Sequence, residues 1–192
     1  MSAREQAGFT LVEVIVVLAI LPVVLVALLS TLDTGAQIGP RTVEYANAVE
    51  QAGNGVSLAI RDVRQAYRIV GTTPNSVTFL AVINGNDTQI NISCDIASPA
   101  TDNSGVAYRR CVRTTAAATG TLPSPTTGTV LVDRVINGTS DDPVFDFTPD
   151  AISPTFVGMT IRVPSQGEGK AGFNHPISID NGTLLRNNFL GS

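Results

Sequence analysis

From residue 9 to residue 32 the chain reads FTLVEVIVVLAILPVVLVALLSTL, an apolar run broken by Thr10, Glu13, Pro22 and a few polar residues near its end. At a rise of 1.5 Å per residue, a helix of this length spans about 36 Å and can cross a hydrocarbon core of about 30 Å. The next segment, DTGAQIGP at 33–40, carries two glycines and a proline, which predict a bend or pause. Beyond it Val49, Ala52, Val56, Ile60, Val63, Tyr67 and Val70 recur at steps of three and four, one stripe of an amphipathic helix. That stripe predicts a helix over 33–70 packed on a β domain. Gly53 and Gly55 each cost about 1 kcal/mol relative to alanine in a helix, so loosening is expected there. Arg61, Asp62, Arg64 and Arg68 form the opposite, polar face and read as solvated.

After Gly71 the period shortens and turn residues multiply. Strands are expected at 77–83, 89–95, 106–114, 129–136, 144–147 and 156–163, with short elements near Ile177 and Leu184. Asn84-Gly85-Asn86-Asp87 lies between two β-like runs and predicts an antiparallel hairpin. ATGTLPSPTTG, at 118–128, reads as a low-complexity loop. The expected fold class is therefore α+β: a long N-terminal hydrophobic helix and an antiparallel β head over 71–192.

The chain has 192 residues, enough for one ordinary domain and an appendage. Its net charge of −4 argues against direct nucleic-acid binding, which needs clustered Lys and Arg. A cleaved secretory signal would have a shorter apolar region and a small-residue cleavage site, and neither is present. A plain signal anchor accounts for the length but leaves Glu13 unexplained. A carboxylate in hydrocarbon costs a few kcal/mol, less near a helix end, and wants a partner. A cut between Gly8 and Phe9 supplies one: the new α-amino group is cationic and stands four residues before Glu13, of the same chain or of a neighbour. Pro22 removes one backbone hydrogen bond and predicts a kink or local melting, either an aid to helix packing or incidental.

The segment GFTLVEVIVVLAIL, Gly8 through Leu21, resembles the prepilin cleavage and N-methylation motif of type IV pilins and type II secretion pseudopilins. The resemblance implies a leader over 1–8, cleavage after Gly8 by a prepilin peptidase, methylation of the Phe9 amine, and an assembly-registry role for Glu13 in a transmembrane and filament-core helix over 9–32. The leader, MSAREQAG, is short and polar as the family's leaders are, although Glu5 beside Arg4 makes it less positive than most. LAIRDVRQAYRI, at 58–69, resembles the helix end of minor pilins and minor pseudopilins of the W and J kinds. ISIDNGTLLRNN, at 177–188, is similar to the strand that closes several minor pilin-like heads.

With the head outside the cytoplasm, Cys94 and Cys111 on adjacent expected strands stand in an oxidising space. A structural disulfide is expected, with two separate buried thiols as the alternative. A catalytic cysteine finds no support, because the single histidine, His175, precedes Pro176 in a loop and lacks an acid partner. GEGKAG at 167–172 fails as a phosphate loop: Pro164 takes the place of the first glycine and Ala171 that of the Ser or Thr. Asp141, Asp142 and Asp146 follow no EF-hand pattern and read as solvated turn charges rather than calcium ligands. Asn137-Gly138-Thr139 and Asn181-Gly182-Thr183 match glycosylation acceptors formally, but turn chemistry is the preferred reading.

The expected role is structural and not enzymatic, with no cofactor and no metal: a minor subunit of a type IV pilus or secretion pseudopilus. The resemblance implies as partners a prepilin peptidase, other pilins or pseudopilins, a platform membrane protein and, indirectly, a cytoplasmic assembly ATPase. The expected location is a single pass through the inner membrane, then the filament. The rival is a membrane-anchored extracytoplasmic binding protein that never polymerises.

Overall fold

A computed structural model describes residues 11–101, 107–165 and 176–185. The chain divides into two compact units, Met1–Thr42 and Val43–Ser192. One helix, α1 (Leu11–Arg64), contributes to both.

In the first unit, Leu11–Leu32 is a 22-residue stretch whose most apolar 18 residues have a mean hydropathy of 3.1, and none of it is buried within the protein. A helix is the single-segment structure that satisfies every backbone polar group in hydrocarbon without outside partners. Its late hydroxyls are satisfied in the same way. Ser30 Oγ donates to the Ala27 carbonyl at 2.9 Å, and Thr31 Oγ1 to the Leu28 carbonyl at 2.7 Å. The helix passes without a break through Pro22 and through 33–40, which corrects the expected pause at 33–40. Proline's fixed φ is itself helical, so what Pro22 removes is one donor, not the helical path.

In the second unit α1 buries Ala52, Val56, Ala59, Ile60 and Val63. The expected loosening at the glycines is corrected by Gly55. A Cβ there would collide with the Leu131 carbonyl and the Val132 side chain, so the missing side chain is what lets helix and strand backbones approach. Gly53 has open space around it and serves no such contact. The helix ends at Arg64, where the expected one continued to Val70, and residues Ala66–Thr73 form β1. Tyr67 and Val70 happen to continue the helical spacing of the stripe. They lie in an aromatic and β-branched run, AYRIVGTT, which gains more by pairing with a neighbouring strand.

The remaining strands are β2 (Ser76–Ile83), β3 (Asn86–Thr101), β4 (Ala107–Ala117), β5 (Thr129–Val135), β6 (Phe145–Thr148), β7 (Phe156–Val163) and β8 (Ile177–Leu184). Strands β1 to β5 form one sheet in sequence order and β6 to β8 a second, all neighbours antiparallel. Alternation sets the inner faces: Val77, Phe79 and Ala81 on β2, and Val157, Met159, Ile161 and Val163 on β7. At the β2–β3 turn Ile83 pairs with Asn86 across Asn84 (φ 52°) and Gly85 (φ 79°), the left-handed pair of a two-residue hairpin. The loop at 118–128 is less irregular than expected. Ser124 caps a 3₁₀ turn at Pro125–Thr127, and Gly128 lies so close to β4 that a Cβ would sit 2.5 Å from the Arg113 carbonyl.

The two sheets are tied by backbone bonds from Ile136 N to the Arg162 carbonyl (2.7 Å) and from Phe145 N, on β6, to the carbonyl of Pro74 in the β1–β2 turn (2.9 Å). Asn137, fully buried, reinforces this junction. Its amide donates to the Thr160 carbonyl at 2.7 Å, and its side-chain oxygen accepts from Arg162 N at 2.9 Å.

Candidate functional site

Gly8 and Phe9 lie outside the described residues, as do His175 and the 167–172 segment. Glu13 is the acidic residue of the first turn of α1, the end where unpaired backbone N–H groups favour a negative charge. The segment around it is apolar on every side: the successive residues Val14, Ile15, Val16 and Val17, each turned by about 100° from the last, point in different directions and all are exposed. A surface helix of a water-soluble domain has one apolar stripe, whereas a helix that is apolar all round requires an apolar environment on all sides. This stretch can satisfy its own backbone but not its side chains, which demand lipid or other helices. Pro22 lies nine positions beyond Glu13 on the same helix, so the two do not form one cluster.

In the head, Cys94 and Cys111 come together as a fully buried disulfide with sulfurs 2.07 Å apart, bridging β3 and β4 where their register shifts. No group of three or more His, Cys, Asp or Glu side chains suited to a metal occurs among the described residues. Asp142, one of the three turn aspartates, is engaged by Arg162 Nη1 at 2.8 Å, and its carbonyl accepts from Gly138 N. Of the formal glycosylation acceptors, Asn137 is the buried junction residue described above. Asn181-Gly182-Thr183 lies inside β8 rather than in a turn, which corrects the turn reading at that site. Its backbone is held there by pairing with β7, Gly158 facing Gly182.

The polar face of the helix differs from its expected solvated state at one position. Asp62 is buried and accepts from Arg113 Nε on β4 at 2.5 Å. Arg64 Nε donates to Thr183 Oγ1 at 3.2 Å. Gly55 and Ala59, seven and three positions before Asp62 on α1, are buried with it, but their small side chains carry no sign of the ion pair. Partial desolvation, and then the Asp87 carboxylate that accepts its hydroxyl at 3.2 Å, push the Tyr67 phenol above its ordinary value.

Residues 3–29 match the family model of the prokaryotic N-terminal methylation motif. The matched stretch contains Gly8, Phe9, Glu13 and Pro22. No curated protein and no solved structure matches the sequence.

Proposed function

We infer that this protein, which carries the N-terminal methylation motif of the type IV pilin and pseudopilin family, is a minor structural subunit of a pilus or secretion pseudopilus. One observation carries the reading: the motif opens directly onto a helix whose 22-residue apolar stretch finds no cover within its own chain. Motif and helix together fit a single-pass inner-membrane anchor trimmed by prepilin peptidase. Cleavage after Gly8 converts Phe9 into the N-terminus and frees an amine. In the membrane the helix is covered by lipid, and in the filament by the helices of other pilins.

Register in such a bundle needs a directional contact, because apolar side chains slide past one another at little cost. Glu13 supplies it by receiving the Phe9 amine of its own chain or a neighbour, a role that gives specificity more than stability since desolvation offsets much of the attraction. The platform protein and the cytoplasmic ATPase act on the assembled helices, and the head faces the outside. No reaction is assigned to the protein itself.

The test is Glu13→Ala, with membrane fractionation beside in-membrane cross-linking of the apolar helix to other pilins. Insertion is expected to be unchanged, because removing a carboxylate makes partitioning easier. Cross-linking and filament incorporation are expected to fall. Unchanged incorporation would remove the registry role of Glu13, and a wild-type protein never cross-linked to a pilin would favour the anchored binding protein instead.

A further inference from the structure

Four Asn-Gly dipeptides occur in the sequence, at 54–55, 84–85, 137–138 and 181–182. In such a pair the glycine nitrogen is unshielded by a side group and can attack the preceding carboxamide, provided the backbone brings the two together. The fold treats the four very differently. Gly55 lies inside α1, where its amide belongs to the helical ladder. Asn137 is fully buried, and its carboxamide is held at both ends, donating to the Thr160 carbonyl and accepting from Arg162 N. Asn84 occupies the left-handed position of the hairpin turn at φ 52°, and among the described residues no bond joins its carboxamide to Gly85 N.

Asn181 is the exception. It is exposed, and Gly182 N donates to its side-chain oxygen at 2.8 Å, so nitrogen and carboxamide are already in contact. That amide is not engaged by β7. Leu185 N donates to the Thr155 carbonyl, and in an antiparallel pair the bonded residues alternate, so the Gly182 N–H faces the open edge of β8. A cavity of about 350 Å³ lined by Arg64, Phe156, Gly182, Thr183 and Leu184 admits water beside it. A Cβ at 182 would meet the outer edge of the Phe156 ring, which would have to move to admit it. Packing and reactivity therefore coincide at one position.

We propose that Asn181-Gly182 is a self-modifying site that converts to aspartate or isoaspartate in the folded protein. Hydroxide removes the Gly182 amide proton, and a rotation of the carboxamide sets its carbon before the nitrogen. The new bond forms between the Gly182 nitrogen and the carboxamide carbon, the bond from that carbon to its own nitrogen breaks, and ammonia leaves with a proton from water. Water then opens the cyclic imide at either carbonyl, so the net change is one water consumed and one ammonia released. Either product puts a second carboxylate beside Asp180 on β8. Isoaspartate also routes the backbone through the former side group and lengthens it by one methylene. Residues on either side of 181 then no longer keep their register against β7.

The experiment is incubation of the full-length protein in detergent at mildly alkaline pH, followed by peptide mapping by mass and enzymatic labelling of isoaspartate. The peptide containing 181–182 is expected to convert several-fold faster than the one containing 84–85, while those containing 54–55 and 137–138 stay unchanged. Asn181→Gln is expected to stop conversion at that peptide, since its longer side group does not close the same ring. Conversion at 84–85 that equals or precedes 181–182 would overturn the proposal. So would an unchanged 181–182 peptide after a period in which a synthetic 177–185 peptide converts.

Discussion

The apolar stretch at 11–32 and the head that begins at Val43 solve the same problem by opposite means. In the stretch the helical ladder pairs most backbone groups with residues four positions away, and the hydroxyls of Ser30 and Thr31 find carbonyls equally near, while its side chains are left uncovered. The head covers its side chains by contacts far apart in sequence: Ile60 and Val63 share a core with Val77, Ile92 and Met159. A segment built on local bonds tolerates changes at single positions and exposes its requirements to the environment. A domain built on distant contacts is vulnerable wherever two backbones meet closely.

The largest expected effect separates the regions by chemistry. Gly8→Glu is expected to leave the head folded and abolish trimming, so that N-terminal sequencing of membrane-extracted protein returns Met1 in place of Phe9. Trimming at Phe9 in this variant would break the motif reading while leaving the head's packing untouched.

Next comes the bridge midway along the β3–β4 hairpin. Cys94 and Cys111 are 17 residues apart, and opening a loop of that size costs about 3 kcal/mol in the chain-entropy model. Non-reducing peptide maps should recover the two linked, and reduction should lower the head's unfolding midpoint without altering membrane insertion. Two free thiols in native, alkylated protein would leave the head's stability to its core alone.

A somewhat smaller loss is expected for Gly55→Val, about 2–3 kcal/mol, as the added carbons force α1 away from β5. The neighbour is the control. Gly53→Ala should stabilise by up to about 1 kcal/mol because open space surrounds that position. Denaturant unfolding of the detergent-solubilised protein measures both, and equal effects at the two glycines would contradict the close approach at Gly55.

The smallest effect is a pH dependence. Because the folded Tyr67 phenol is raised, its contribution to stability is fully present below the ordinary phenol range and is lost as pH rises through the folded value. Tyr67→Phe should flatten the alkaline limb of the head's stability profile. An identical limb in both proteins would mean that the Asp87 contact does not bear on folding.

Much of this molecule is readable along its sequence. The strand runs around Val77, Ile90, Val132 and Met159 fall where alternation puts them, and Asn84-Gly85 forms the hairpin that its chemistry favours. The helix boundary is not readable, since Tyr67 and Val70 satisfy both a helical spacing and a strand composition. Only the presence of β2 as a pairing partner decides between them. Asp62 is hidden for a related reason: a charge beside an apolar stripe looks solvated until Arg113 arrives from a distant strand.

What the sequence determined by itself is the N-terminal segment, because cleavage motif, helix and hydrophobicity are all properties of adjacent residues and need no tertiary partner. The tertiary structure alone decided the meaning of single polar and glycine positions in the head. Gly55 became a close approach, Asn137 a buried junction and Asn181 an exposed carboxamide on a glycine nitrogen. Identical Asn-Gly pairs received different roles, since hydrogen-bond partners and burial are set by what folds back against a residue, and local sequence carries no record of that.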